Sequence, residues 1–130
     1  MSSTAKAHQG LAFLFLAVAI IAFFLAGFGA FDGSRDFDAH QGSGSLLLLL
    51  SLVLLILAAV GRREALQQSA VLFGLMILQM VLAILGTDVS SFFGALHPVN
   101  GLLILFVAHQ TARALPLPMV GSATSRRPAV

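Results

Sequence analysis

The sequence predicts an all-α integral membrane protein: a four-helix transmembrane bundle of up-and-down topology with a parallel two-helix internal repeat. Composition, four long apolar stretches and a self-match between the two halves of the chain predict it. Of 130 residues, 58% are hydrophobic and only 9% charged, with a mean hydropathy of +1.00. Water-soluble domains carry about a quarter charged residues, so a cytosolic enzyme and a disordered tail are both excluded. The chain has no Cys, which removes disulfides, thiolate metal sites and Cys nucleophiles. Seven basic residues and a formal charge of +2 are too few and too scattered for nucleic-acid binding.

About 20 uncharged, mainly apolar residues cross the roughly 30 Å hydrocarbon core as a helix. Four stretches meet this rule, at about 9–31, 41–60, 65–86 and 92–111. The first has too long an apolar run, and in Lys6 too weak a basic start, for a cleaved signal peptide. Short polar connectors leave one compact unit over 1–114. Residues 115–130, with Pro116, Pro118 and Pro128 among Ser and Gly, read as a mobile cytoplasmic tail. Lys6, Arg62, Arg63, Arg113, Arg126 and Arg127 fall on one side, whereas Arg35 stands among Asp32, Asp36, Asp38 and Asp88 on the other. The positive-inside rule then puts both termini in the cytoplasm, with the plasma (inner) membrane as the location.

An offset of 57 aligns the halves without a gap. Leu25-Ala26-x-x-Gly29 falls on Leu82-Ala83-x-x-Gly86, His40 on His97 and Gly44 on Gly101. Leu and Ala matches between apolar helices carry little weight; the His and Gly matches in one register carry more. Both halves start and finish on the same side, which makes the repeat parallel. Helices two and four then stand diagonally in an up-and-down bundle.

Helical spacing gives these matches chemical meaning. His40, Gly44, Leu47 and Ser51 share one stripe, and His97, Gly101, Ile104 and Ala108 share its counterpart. Facing imidazoles with a glycine one turn below each would supply two axial nitrogens and room for a flat macrocycle. Gln79, Ala83 and Gly86 form another face, and Ala19, Ala22, Ala26 and Gly29 a small-residue seam that ordinary helix packing also explains.

Ionisable residues inside spans are functional candidates by default. His97, within an apolar run, is the stronger one, although a histidine near a helix start with Pro98 in the first turn is the plainer explanation. His40 follows an acidic loop and gains from its match to His97. His109 lies twelve residues beyond His97, about 18 Å along the helix, and cannot share a metal with it. His8 and His109 would form a second haem site only between neighbouring helices 8–10 Å apart, too close for an intervening porphyrin. Gln79, deep in the third span, needs a partner such as Asn100 or a quinone carbonyl. Gln67 and Gln68 need no special role. The aspartates suit a solubilising loop better than proton handling, and phosphate-loop, HExxH and serine-nucleophile motifs are lacking.

The segment Leu96-His97-Pro98-Val99-Asn100-Gly101-Leu102-Leu103, preceded by Leu78-Gln79-Met80-Val81-Leu82-Ala83-Ile84-Leu85-Gly86, resembles a family of small uncharacterised four-span prokaryotic membrane proteins. It more distantly resembles one half of haem A synthase, an enzyme of two four-helix halves. Each of those halves binds haem through histidines on its second and fourth helices. The resemblance implies that His40 and His97 are such a pair. A single half cannot hold both a cofactor and a substrate, so an oxidoreductase of that type would require a homodimer. The outer-loop cysteines of many haem A synthases are missing, and aspartates stand where those enzymes use a glutamate.

The expectation is a bis-histidine protein holding one haem b per chain. His40 and His97 are the metal ligands, and Gly44, Gly101, Gln79 and Asn100 complete the cofactor site. Catalytic residues are not assigned. Electron transfer with a quinone or a larger respiratory-type membrane complex, or haem handling, would follow, with the lipid bilayer as surroundings and a homo-oligomer as one assembly. The alternative is a cofactor-free accessory or assembly subunit of a larger membrane complex. A transporter or channel fits less well, because four helices enclose little pore.

Overall fold

The computed structural model describes residues 2–32 and 37–113. Arg35, Asp36 and the tail with Arg126 and Arg127 lie outside the described residues. Four long helices follow in order: α1 (Ser3–Phe31), α2 (Asp38–Gly61), α3 (Leu66–Asp88) and α4 (Ser91–Arg113). A 3-10 turn, Arg63–Ala65, joins α2 to α3. Each of the four is long and apolar enough to cross a membrane. They overrun the expected spans because polar ends such as Ser3 and Arg113 continue the helical hydrogen bonding.

Local chemistry sets the ends. Ser2 caps α1, its Oγ accepting from Ala5 N–H at 3.2 Å, which satisfies one of the unpaired donors of the first turn. The α3–α4 connection is only Val89 and Ser90; both donate N–H to the Leu85 carbonyl at 3.0 Å. Ser90 Oγ accepts from Phe92 N–H at 3.3 Å and so starts α4.

Each helix packs against two neighbours: α1 on α2 and α4, and α3 on α2 and α4. The bundle is therefore square and up-and-down, with α2 and α4 on one diagonal. Two connections, α1–α2 and α3–α4, lie at the loop end; the α2–α3 connection shares the terminal end with Ser3 and Arg113.

Outward faces are as apolar as inward ones: Ile20, Phe24, Phe28, Ile56, Ile84 and Leu102 are all more than half exposed. Such a helix suits surroundings that are apolar on every side. What distinguishes the inward faces is size and fit. Phe15, Leu54, Leu72 and Ala108 are fully buried, one from each helix. Where lipid is as apolar as leucine, this close packing rather than water exclusion holds helices together. At the loop end Gly86 supplies it on α3, for a Cβ there would lie 2.7 Å from the Gly94 Cα of α4.

The buried positions recur. Ala12, Phe15, Ala19, Leu47, Ser51 and Leu54 are buried, and so are the residues 57 positions on: Ser69, Leu72, Met76, Ile104, Ala108 and Thr111.

Candidate functional site: a histidine pair at the loop end

His40 lies in the first turn of α2 and His97 in the second turn of α4. Both are half-buried, and their rings meet across the diagonal with centroids 6.1 Å apart and planes at 68°. They line a cavity of about 120 Å³ together with Gly44, Leu47, Gly101 and Ile104 of the same helices. Ala19, Ala22, Phe23 and Ala26 of α1 and Met76 and Gln79 of α3 complete it, with Pro98 at the rim.

Each ring is held by its neighbour helix in the same way. His40 Nδ1–H donates to the Ala22 carbonyl at 2.8 Å, and His97 Nδ1–H to the Gln79 carbonyl at 3.2 Å. A carbonyl only accepts, so each Nδ1 carries a proton, and in the neutral tautomer this leaves Nε2 as a lone pair. Both acceptors already take a helical N–H four residues on and use their second lone pair here. The side chain four residues along a helix leans back over that carbonyl. At both places it is alanine, Ala26 and Ala83, so the carbonyl is open to the imidazole. These alanines belong to the repeated Leu-Ala-x-x-Gly segments, whose role sequence spacing did not disclose.

Pro98 is not in the first turn of α4 but inside the helix, because the helix begins earlier, at Ser91. Lacking an N–H, it cannot bond the Gly94 carbonyl, and the helix is loosened beside His97.

The amides pair with each other. Asn100 Nδ2 donates to the Leu75 carbonyl at 3.0 Å and to Gln79 Oε1 at 2.7 Å. Its own Oδ1 is buried without a partner. Asn100 is thus a brace behind the site rather than part of the cavity wall. Gln79 Nε2 is left on the cavity side, 3.6 Å from where a Cβ on Gly101 would stand. The position equivalent to Gln79 is Ala22, so one wall of the cavity carries an amide and the other does not.

Two imidazoles are the whole donor set. Among the described residues no group of three or more His, Cys, Asp or Glu could hold a metal ion. A metal–imidazole bond of about 2.0–2.1 Å sets two trans ring centroids roughly 6 Å apart, close to the observed separation. Two imidazoles alone do not complete a metal's coordination, so a metal here would take its further ligands from water or from a bound group. The donor set and Cβ-free glycines fit such a group's axial demands. The cavity alone is smaller than the roughly 300–1,000 Å³ of ordinary ligand pockets.

The other histidines are not brought together. His8 is fully buried at the terminal end, where Arg62 Nη1 donates to its Nδ1 at 3.3 Å. Its Nε2–H therefore donates to Ser69 Oγ at 3.0 Å. Arg62 Nε donates to Glu64 Oε1 at 3.1 Å. His109 is exposed on α4. Gln68, for which the sequence suggested no special role, is buried beside Ser69 in the chain.

The profile of a family of unknown function (DUF6220) matches residues 22–88. The chain belongs to that family. The part of this DUF6220 chain that matches carries Ala22, His40, Gly44 and Gln79; His97, Asn100 and Gly101 lie beyond it. No curated protein and no solved structure matches the chain. The match is to an uncharacterised family, and nothing links it to haem A synthase.

Proposed function

We propose that this chain is a multi-pass membrane protein that binds one b-type haem between His40 and His97, for electron transfer or for haem handling. A single observation carries the reading. Two neutral imidazoles on diagonal helices are each fixed through Nδ1 to a backbone carbonyl, with ring centroids 6.1 Å apart. A carbonyl that accepts from the far ring nitrogen orients a metal-binding histidine, fixes its tautomer and raises its basicity.

The recurrence of buried positions supports a parallel repeat as the origin of the pair, each half contributing one histidine and one carbonyl. Haem would supply a one-electron iron couple. The chain would supply the rest: His40 and His97 would hold the iron through ring nitrogens, Gly44 and Gly101 would allow close approach of backbone, and Ala19, Ala22 and Ala26 would leave space along α1. The apolar walls exclude water from the cavity. Orientation with both termini in the cytoplasm remains the reading of the basic residues Lys6, Arg62, Arg63 and Arg113, all at the terminal end.

The test is an absorption spectrum of the purified full chain, in which reduction should bring a sharp α band and a shifted Soret band. Full haem content in His97→Ala would sink the assignment. The small cavity favours a second reading, a cofactor-free accessory subunit whose histidines simply brace the bundle. A colourless preparation that copurifies stoichiometrically with a partner complex would favour that one.

A further inference from the structure

We propose that the histidine pair receives its ligand sideways from the hydrocarbon phase, through the loop-end half of the α1–α4 seam, with Phe23 as the movable plug. The inference rests on the membrane and histidine-pair readings above, and it makes the ligand a flat, lipid-partitioning ring compound.

Covalent connection singles out this seam. Residues 32–37 join α1 to α2, 62–65 join α2 to α3, and 89–90 join α3 to α4. The first and last helices have no such link, so parting them stretches no connection. Polar ties point the same way. Among the described residues, the hydrogen bond that crosses from α1 to α4 is Gln9 Nε2–H to the Ala112 carbonyl, at 3.3 Å. It lies at the terminal end and leaves the seam clasped there, with an apolar approach at the loop end.

The cavity reaches the surface at this apolar part. Phe23 and Pro98 both line it and both are exposed. The Phe23 ring fills the notch over Gly101: its Cζ lies 2.8 Å, and its Cε2 3.2 Å, from where a Cβ on Gly101 would be. The equivalent notch at Gly44 has nothing within 4 Å of such a Cβ. One backbone notch is therefore open and the other is covered by an aromatic ring. That ring sits on the backbone face a flat ligand needs, and turning it about two side-chain bonds clears the face without moving a helix. On the opposite rim Pro98 leaves the Gly94 carbonyl without its helical donor, which loosens α4 where the seam must part.

Access is measured separately from haem binding. The chain has no cysteine, so Ala19→Cys, a cavity position, takes a single trifluoroethyl label in the full chain reconstituted in nanodiscs. Fluorine relaxation then compares dissolved oxygen, which concentrates in hydrocarbon, with a nickel chelate confined to water. Oxygen access should rise several-fold in Phe23→Ala and fall in Phe23→Trp, with the nickel chelate excluded throughout. Uptake of haemin dissolved in the nanodisc lipid, followed at the Soret band, should change speed in the same order.

Equal oxygen access in all three backgrounds, or better access for the nickel chelate than for oxygen, overturns the portal whatever haemin does. Absence of haemin binding, with oxygen access that still follows residue 23, removes the haem reading and leaves the portal standing. Ala26→Cys gives a second label position should Ala19→Cys not fold.

Discussion

The two ends of the bundle treat histidine in opposite ways. At the terminal end His8 spends both nitrogens inside the protein, Nδ1 on Arg62 and Nε2 on Ser69. At the loop end, among the described residues, His40 and His97 each bond through Nδ1 to a backbone carbonyl, and both rings line the cavity. The tautomers are opposite as a result. A buried histidine with both nitrogens bonded braces the helices around it, whereas the proposed function needs two rings that each keep one nitrogen for a ligand. The partner of each ring nitrogen, more than burial, distinguishes His8 from the two histidines proposed as ligands.

The largest expected effect lies in binding. His40→Ala or His97→Ala should abolish haemin-dependent Soret absorbance, while His8→Leu should retain it. Equal losses in all three variants would break the comparison. Ligand-linked stabilisation sharpens it: at 100-fold excess over Kd, haemin should add about 2.7 kcal/mol to wild type, read as a raised thermal midpoint, and nothing to His97→Ala.

Packing at the loop end comes next. Gly86→Leu drives a side chain into the Gly94 backbone, 2.7 Å from the first added carbon, and should cost about 1–3 kcal/mol by overpacking. Measured by steric trapping or denaturant in lipid, its loss should far exceed that of Gly44→Ala, whose Cβ meets nothing.

Stability reverses the order of the histidines. His8→Leu strands the buried Arg62 and Ser69 groups and should cost about 1–3 kcal/mol. Without ligand, His40→Ala should cost less than about 1 kcal/mol, since the Ala22 carbonyl keeps its helical N–H. The smallest effect belongs to the brace: Asn100→Leu gives up two hydrogen bonds but also removes an orphaned Oδ1, for a net change within about 1 kcal/mol. A larger loss would show that the amide pair holds α3 and α4 together.

Much of the fold was legible because it follows from one-dimensional rules. Four apolar stretches longer than a bilayer needs, separated by short polar links, leave little choice but a four-helix bundle with α2 and α4 on a diagonal. Inward positions were legible too. Periodicity put His40, Gly44, Leu47 and Ser51 on one stripe and His97, Gly101, Ile104 and Ala108 on another, and both stripes face the interior. Helix ends were less so: the position of Pro98 relative to the start of α4 depends on the Ser90 hydroxyl accepting from Phe92 N–H, which starts the helix at Ser91.

By itself the sequence determined the all-helical class, the helix order and the register in which His40 falls on His97, since composition, spacing and register are properties of the chain alone. Only the tertiary structure decided what each imidazole nitrogen does. The acceptors at Ala22 and Gln79 and the partners at Arg62 and Ser69 lie on other helices and come within reach only when those helices pack. The same holds for Phe23 over Gly101 and Gly86 against Gly94. These contacts depend on helices approaching where side chains are small, and no pattern within a single segment specifies which neighbour arrives there.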